Sequence, residues 1–115
     1  MPHIDDEGEV LGLGLHFEDL PLGRRFRTIA RTVTESDLVN FIGVTGMAEV
    51  LFTDLEFLAQ ESDIKRRVVP AALVYAFAEG LLVHATMQHT GFAFLQMEPM
   101  VETPCAVGDT IHVAC

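Results

Sequence analysis

Apolar and polar positions alternate in different ways along this chain, and each change of rhythm marks a different element. Residues 1–14, MPHIDDEGEVLGLG, are acidic and Gly-bearing with few apolar anchors, which reads as a flexible arm. Residues 15–20, LHFEDL, alternate roughly and suit a short strand or a turn, and PLG then punctuates the chain. Residues 26–33, FRTIARTV, interleave Thr, Val and Ile with polar residues, as a half-buried strand does. From Thr34 the period becomes helical. Leu38, Phe41 and Ile42 fall at i, i+3 and i+4. Thr34 supplies an N-cap and Asp37, three residues on, completes a capping box, with Gly43 or Gly46 ending the helix. Asp54 is placed to cap a second short helix carrying Leu55, Phe57 and Leu58. Residues 60–63 are polar and loop-like.

Residues 70–87, PAALVYAFAEGLLVHATM, form the longest apolar run. Pro at a first helical turn followed by Ala and Leu predicts a helix. It is apolar almost all round, which predicts a buried helix. Glu79 and His84 interrupt it, and no flanking charge asymmetry supports a membrane span. Thr90-Gly91 is a break. Residues 92–103 then read as a long strand bent at Pro99, residues 104–109 as a turn, and residues 110–115, TIHVAC, as a final strand. The order predicts an α+β layout, one long helix on the face of a mostly antiparallel sheet.

Composition narrows the functions. The chain of 115 residues fits one domain. It holds 17 acidic and 7 basic residues, for a net charge of −10. That balance offers no footprint for nucleic acid and is repelled by an anionic membrane. Cys105 and Cys115 match no zinc spacing and make no disulfide framework, which points to reduced thiols in the cytoplasm. The acidic N-terminus does not read as a signal peptide. Five scattered histidines, His3 in the arm among them, give no metal pattern.

Six blocks in order carry a family resemblance: LHFEDLPLGRRF, RTVTESDLVNF, VTG, DLEFL, ALVYAFAEGLL and VGDTIHV. Together they resemble the MaoC-like hydratases, the R-specific enoyl-CoA hydratase family of fatty acid metabolism, over residues 15–115. The resemblance implies a hot-dog fold, an antiparallel sheet wrapped around one long central helix at residues 70–87. Family members continue with further strands, so the C-terminal part of the domain reads as truncated here. They also dimerise through their sheets, with an acyl-CoA channel between subunits.

The resemblance also implies a lyase chemistry: water is added across an enoyl-thioester double bond by an Asp just after Thr-Gly and a His five residues beyond. Two proton-transfer groups must reach one water and one carbon–carbon bond. Thr45 and Gly46 match that motif. The Asp position is Met47 and the His position is Phe52, neither of which transfers a proton. Asp54 matches a family residue that looks like a helix cap. A backbone N–H at the start of the long helix polarises the thioester carbonyl in the family. Here that start is Pro70-Ala71, where a family Gly preceded by His would stand. Pro70 has no N–H to donate, and Ala71 keeps one.

Substitute groups are Glu49, inside the loop, and Glu79, one turn beyond Tyr75 on the helix; their plainer readings are a solvated charge and a residue reaching an edge or Tyr75. His84 and His89 suit the C-terminal end of that helix, and His112 suits a surface. Lys65, Arg66 and Arg67 form a basic cluster able to meet CoA phosphates, or simply a solvated loop. Met47, Phe52, Met97 and Met100 add soft apolar surface, as a pocket wall or as core. The residues expected at a substrate site are therefore Gly46, Met47, Phe52, Lys65, Arg66, Arg67 and Ala71, with no metal and no cofactor beyond acyl-CoA as ligand.

Three functions follow as expectations. The first is an acyl-CoA-binding subunit that works beside a catalytic MaoC-like partner. The second is an active hydratase or other thioester enzyme using Glu49 or Glu79. The third is a structural hot-dog homodimer with no thioester ligand.

Overall fold

The computed structural model describes residues 4–115, so His3 lies outside the described residues. Two short strands, β1 (Ile4–Asp5) and β2 (Gly8–Glu9), form an antiparallel hairpin with Ile4 opposite Glu9. The chain then runs as a strap across the far end of the long helix, where Gly14 N donates to Gln88 O at 2.8 Å and Leu15 N to Thr86 O at 2.7 Å. The LHFEDL segment is a turn: a single 3-10 turn spans Phe17–Asp19, and the Asp19 carboxylate accepts from His16 N at 2.9 Å.

The frame of the fold is the pairing of residues 26–33 with residues 108–115, which include the two expected strands 26–33 and 110–115. The regular part is β3 (Arg31–Thr32) against β4 (Thr110–Ile111), with Arg31 opposite Ile111. Further along, Arg27 stands opposite Ala114, and Phe26 and Cys115 exchange both backbone bonds at 3.0 and 2.8 Å. Four steps on one strand thus match three on the other, so residues 28–30 hold one extra residue, a β-bulge. Thr28 sits at the bulge and is the one buried polar residue among those described. Its hydroxyl accepts from Val113 N at 3.0 Å and donates to Ile29 O at 2.8 Å, which satisfies the ladder groups that the extra residue displaces.

Helix α1 (Glu35–Thr45) starts and stops where its capping residues dictate. Thr34 Oγ1 accepts from Asp37 N at 3.1 Å, and Asp37 Oδ2 accepts from Thr34 N at 2.9 Å. Gly46 ends it in the left-handed region at φ 74°, which Gly adopts without steric cost. A one-turn helix, α2 (Val50–Thr53), follows. Asp54 then caps α3 (Leu55–Gln60), its Oδ1 accepting from Glu56 N and Phe57 N at 2.9 and 3.0 Å. The long helix is α4 (Ala71–Thr86). The chain reverses after it through His89, which takes φ 64°.

Val33, Leu38, Val69 and Leu73 form the core where β3, α1 and α4 meet, with Phe41, Ile42, Phe52 and Phe77 packed around them. Each such buried side chain contributes about 1.5–3 kcal/mol. Residues 67–69 join this core through residues 105–107: Val69 N donates to Cys105 O and Val107 N to Arg67 O, at 2.9 and 2.8 Å.

Two expectations need correction. The all-round apolar helix is not wrapped, for Leu73 is its one buried residue. The regular ladder between β3 and β4 is two residues long on each side, too short to curve around sixteen residues of helix. Nor do residues 92–103 form a strand. They carry no regular secondary structure, and among the described residues no backbone hydrogen bond joins them to a neighbour. Strand propensity describes fitness for a pleated, half-covered surface, and no ladder lies beside them. Their apolar side chains stand open, Phe92, Leu95 and Met100 among them. The radius of gyration is 18.1 Å, against about 13 Å for a compact chain of this length.

Candidate functional site

The loop between α1 and α3 is built by its own backbone. After Gly46 the amides of Met47, Ala48 and Glu49 find partners two residues back: Met47 N reaches Thr45 Oγ1 at 3.3 Å, Ala48 N reaches Gly46 O at 2.8 Å and Glu49 N reaches Met47 O at 3.0 Å. Glu49 then caps α2, its Oε2 accepting from Leu51 N at 2.9 Å. The carboxylate expected to substitute as a base is therefore engaged by the backbone. Met47 is part-exposed beside it, and the Phe52 ring turns in against the core.

Arg67 fastens this loop to the approach of α4. Its Nη1 donates to Phe52 O, while Nε and Nη2 hold the two Glu35 oxygens at 3.2 and 2.8 Å. Those hydrogen bonds hold the Glu35 carboxyl below its ordinary pKa. The other two basic residues point elsewhere. Lys65 Nζ donates to Ala59 O at 2.9 Å, near the end of α3. Arg66 pairs with Asp109, whose second oxygen accepts from Ala106 N at 3.0 Å. The Arg66 bond first, and Ala106 N–H after it, keep Asp109 below its usual range. The cluster seen in the sequence is thus divided among four partners, Ala59, Asp109, Glu35 and Phe52. On the other side of the core, Arg31 pairs with Asp37 at 3.0 Å and lies 3.8 Å from the centre of the Phe77 ring. Stacking a cation on an aromatic face joins β3, α1 and α4.

At the start of α4, Pro70 is the N-cap and Leu73 N donates back to Pro70 O at 3.0 Å. Ala71 borders a cavity of about 180 Å³ shared with Val69, Val74, Tyr75, Met100 and Cys105. Burial raises the Cys105 thiol above its ordinary value, Asp109 adding to the effect. Glu79 is not here. It lines a second, more apolar cavity of about 450 Å³ further along α4. His84 and His89 face the strap around a third space, with Gly12 and Leu13 opposite. His112 is exposed.

Gly46, Met47, Phe52 and Arg67 are thus brought together by bonding and packing. Ala71 lies beyond them at the helix start, and Lys65 and Arg66 turn to other partners. The Glu35–Arg67 clamp was not read from the sequence; the acidic first turn of α1 was its one signal. Among the described residues no helix is long and apolar enough to cross a membrane, and no group of three metal-binding side chains is present.

The chain superposes on solved structures. A monoamine oxidase regulatory protein from Archaeoglobus fulgidus matches with a TM-score of 0.74 and 26% identity, over 88% of this chain and 69% of that one. The fold is MaoC-like. A second Archaeoglobus fulgidus protein matches with a TM-score of 0.72 and 19% identity, over 90% of this chain and 62% of that one. No family model and no curated protein matches the chain. These MaoC-like neighbours support the hot-dog layout at the level of helix and antiparallel strands. They are longer than the stretch matched here.

Proposed function

We propose that this chain is a MaoC-like acyl-thioester-binding subunit without an acid–base pair of its own, acting in the cytoplasm beside a catalytic MaoC-like partner. The observation that carries the reading is the state of the Thr45-Gly46 loop. Phe52 packs into the core and Glu49 caps α2, so Glu49, the loop's one ionisable side chain, is already engaged. Ala71 at the head of α4 keeps an N–H without a partner among the described residues, beside the 180 Å³ cavity. A thioester carbonyl accepts there, and the helix N-terminus favours its partial negative charge. Arg66 is more open than Arg31 or Arg67 and is the one to exchange its carboxylate for a CoA phosphate. Sheet-to-sheet pairing, as a homodimer or with the catalytic subunit, belongs to the same reading. The first structural neighbour is named a regulatory protein, which suits a non-catalytic role.

The test is thermal unfolding with butyryl-CoA and an absorbance assay with crotonyl-CoA. The expected result is a melting temperature that rises with butyryl-CoA concentration and no turnover by the protein alone. Turnover abolished by Glu49→Ala or Glu79→Ala would make it an enzyme. An unmoved melting temperature would leave the structural homodimer.

A further inference from the structure

We propose that the 450 Å³ cavity beside the middle of α4 binds a small amphipathic cation, an ammonium group carried on an aryl or alkyl body. The cavity falls within the size range of small-ligand sites, roughly 300–1,000 Å³. Tyr75, Leu82, Met87, Phe94 and Met97 supply an apolar wall. Glu79 is the one charged residue that lines it. Tyr75 and Glu79 are four apart on α4 and so share a face. Among the described residues no hydrogen bond or ion pair engages the Glu79 carboxylate.

The sign of the ligand follows from where the cations are. Arg31, Lys65, Arg66 and Arg67 are all bonded to other groups, and no Lys or Arg lines this cavity. A carboxylate or phosphate entering it would meet Glu79 in a chain of net charge −10. An ammonium meets an unpaired carboxylate. Tyr75 and Phe94 bring aromatic rings to the same lining, a residue type that attracts cations, and Leu82 and the two methionines accept its apolar body. Tyr75 also borders the smaller cavity at Ala71, but Glu79 does not. The site therefore stands apart from the thioester reading, and the two tests succeed or fail separately.

The experiment uses two probes with one body and opposite heads, 4-phenylbutylammonium and 4-phenylbutyrate. Each is titrated into protein carrying 13C-methyl methionine, as wild type and as Glu79→Gln. Glu79 is exposed, so the isosteric change leaves the fold intact. The expected result is saturable shifts of the Met87 and Met97 methyls with the ammonium, while Met47 stays still. Glu79→Gln weakens that binding about fivefold, the scale of one part-exposed charge pair. Three outcomes overturn the proposal: butyrate binding as tightly as the ammonium, affinity unchanged in Glu79→Gln, or no saturation by millimolar ammonium.

Discussion

Arg67 holds Glu35 by two parallel bonds, Nε to Oε2 at 3.2 Å and Nη2 to Oε1 at 2.8 Å, across 32 residues of sequence. Its remaining nitrogen donates to Phe52 O. One planar group thereby fixes the first turn of α1, the loop and the entry to α4. Arg67→Met is expected to cost about 1–2 kcal/mol in urea unfolding, because the Phe52 carbonyl also loses its donor. Glu35→Gln costs less, under about 1 kcal/mol, since Glu35 is more than half exposed. Arg67→Lys does not restore the wild-type value, because an ammonium lacks the fork.

Acidification should weaken the fold through three carboxylates. Glu35, Asp37 and Asp109 are all held below their ordinary values, by Arg67, by Thr34 N–H and by Arg66 respectively. A folded pKa below the unfolded one gives stability that is present above the unfolded value and lost as pH falls through the folded one. The ordinary values are 4.5 for Glu35 and 3.8 for the two Asp residues. Unfolding free energy should therefore be level above about pH 5 and decline below it. In Arg67→Met the upper part of that decline, which belongs to Glu35, should flatten.

The bulge depends on one hydroxyl. Thr28→Val keeps the shape and removes both of its hydrogen bonds, leaving the part-buried Val113 N without its partner. The expected loss is about 1–2 kcal/mol by denaturant unfolding. Thr28→Ser keeps the hydroxyl and should lie much closer to wild type.

Gly14 is needed for contact rather than for torsion. A Cβ there would run into Thr86 O and the Gln88 backbone. Gly14→Ala should lift the strap from the end of α4. Hydrogen exchange at the Gly14-position and Leu15 amides should then accelerate at least tenfold, while amides near Leu73 keep their protection.

Restoring the proton-transfer pair tests the family assignment of the loop. Met47→Asp with Phe52→His is expected to give measurable hydration of crotonyl-CoA where the parent gives none. The double variant should also be less stable, by roughly 2–4 kcal/mol, because Phe52 packs on the core. Activity from Met47→Asp alone would show that Phe52 does not occupy the second position.

The parts of this fold that local chemistry sets were legible in the sequence. Thr34 with Asp37, Gly46 and Asp54 each act within a few residues, and each stands where the pattern placed it. Residues 26–33 and residues 110–115 read as strands from their composition; that they pair with each other is seen only in the structure. What was not legible depends on distant partners. Glu49 as a cap escaped notice because Glu is an uncommon N-cap, and α2 was missed with it. The bulge at Thr28 shows itself only when both strands are laid side by side. The apolar rhythm of residues 92–103 promised a strand, but a strand needs a ladder to join. At the site, Met47 and Phe52 stand five residues apart after Thr-Gly, where the resemblance puts the family's Asp and His. The division of Lys65, Arg66 and Arg67 among four accepting residues was not legible in the sequence.

Residues 92–103 have one more consequence. Largely apolar, exposed and without backbone partners among the described residues, they leave their main chain open to a protease cleft. Limited digestion should cut here first, ahead of the helices and the ladder between β3 and β4.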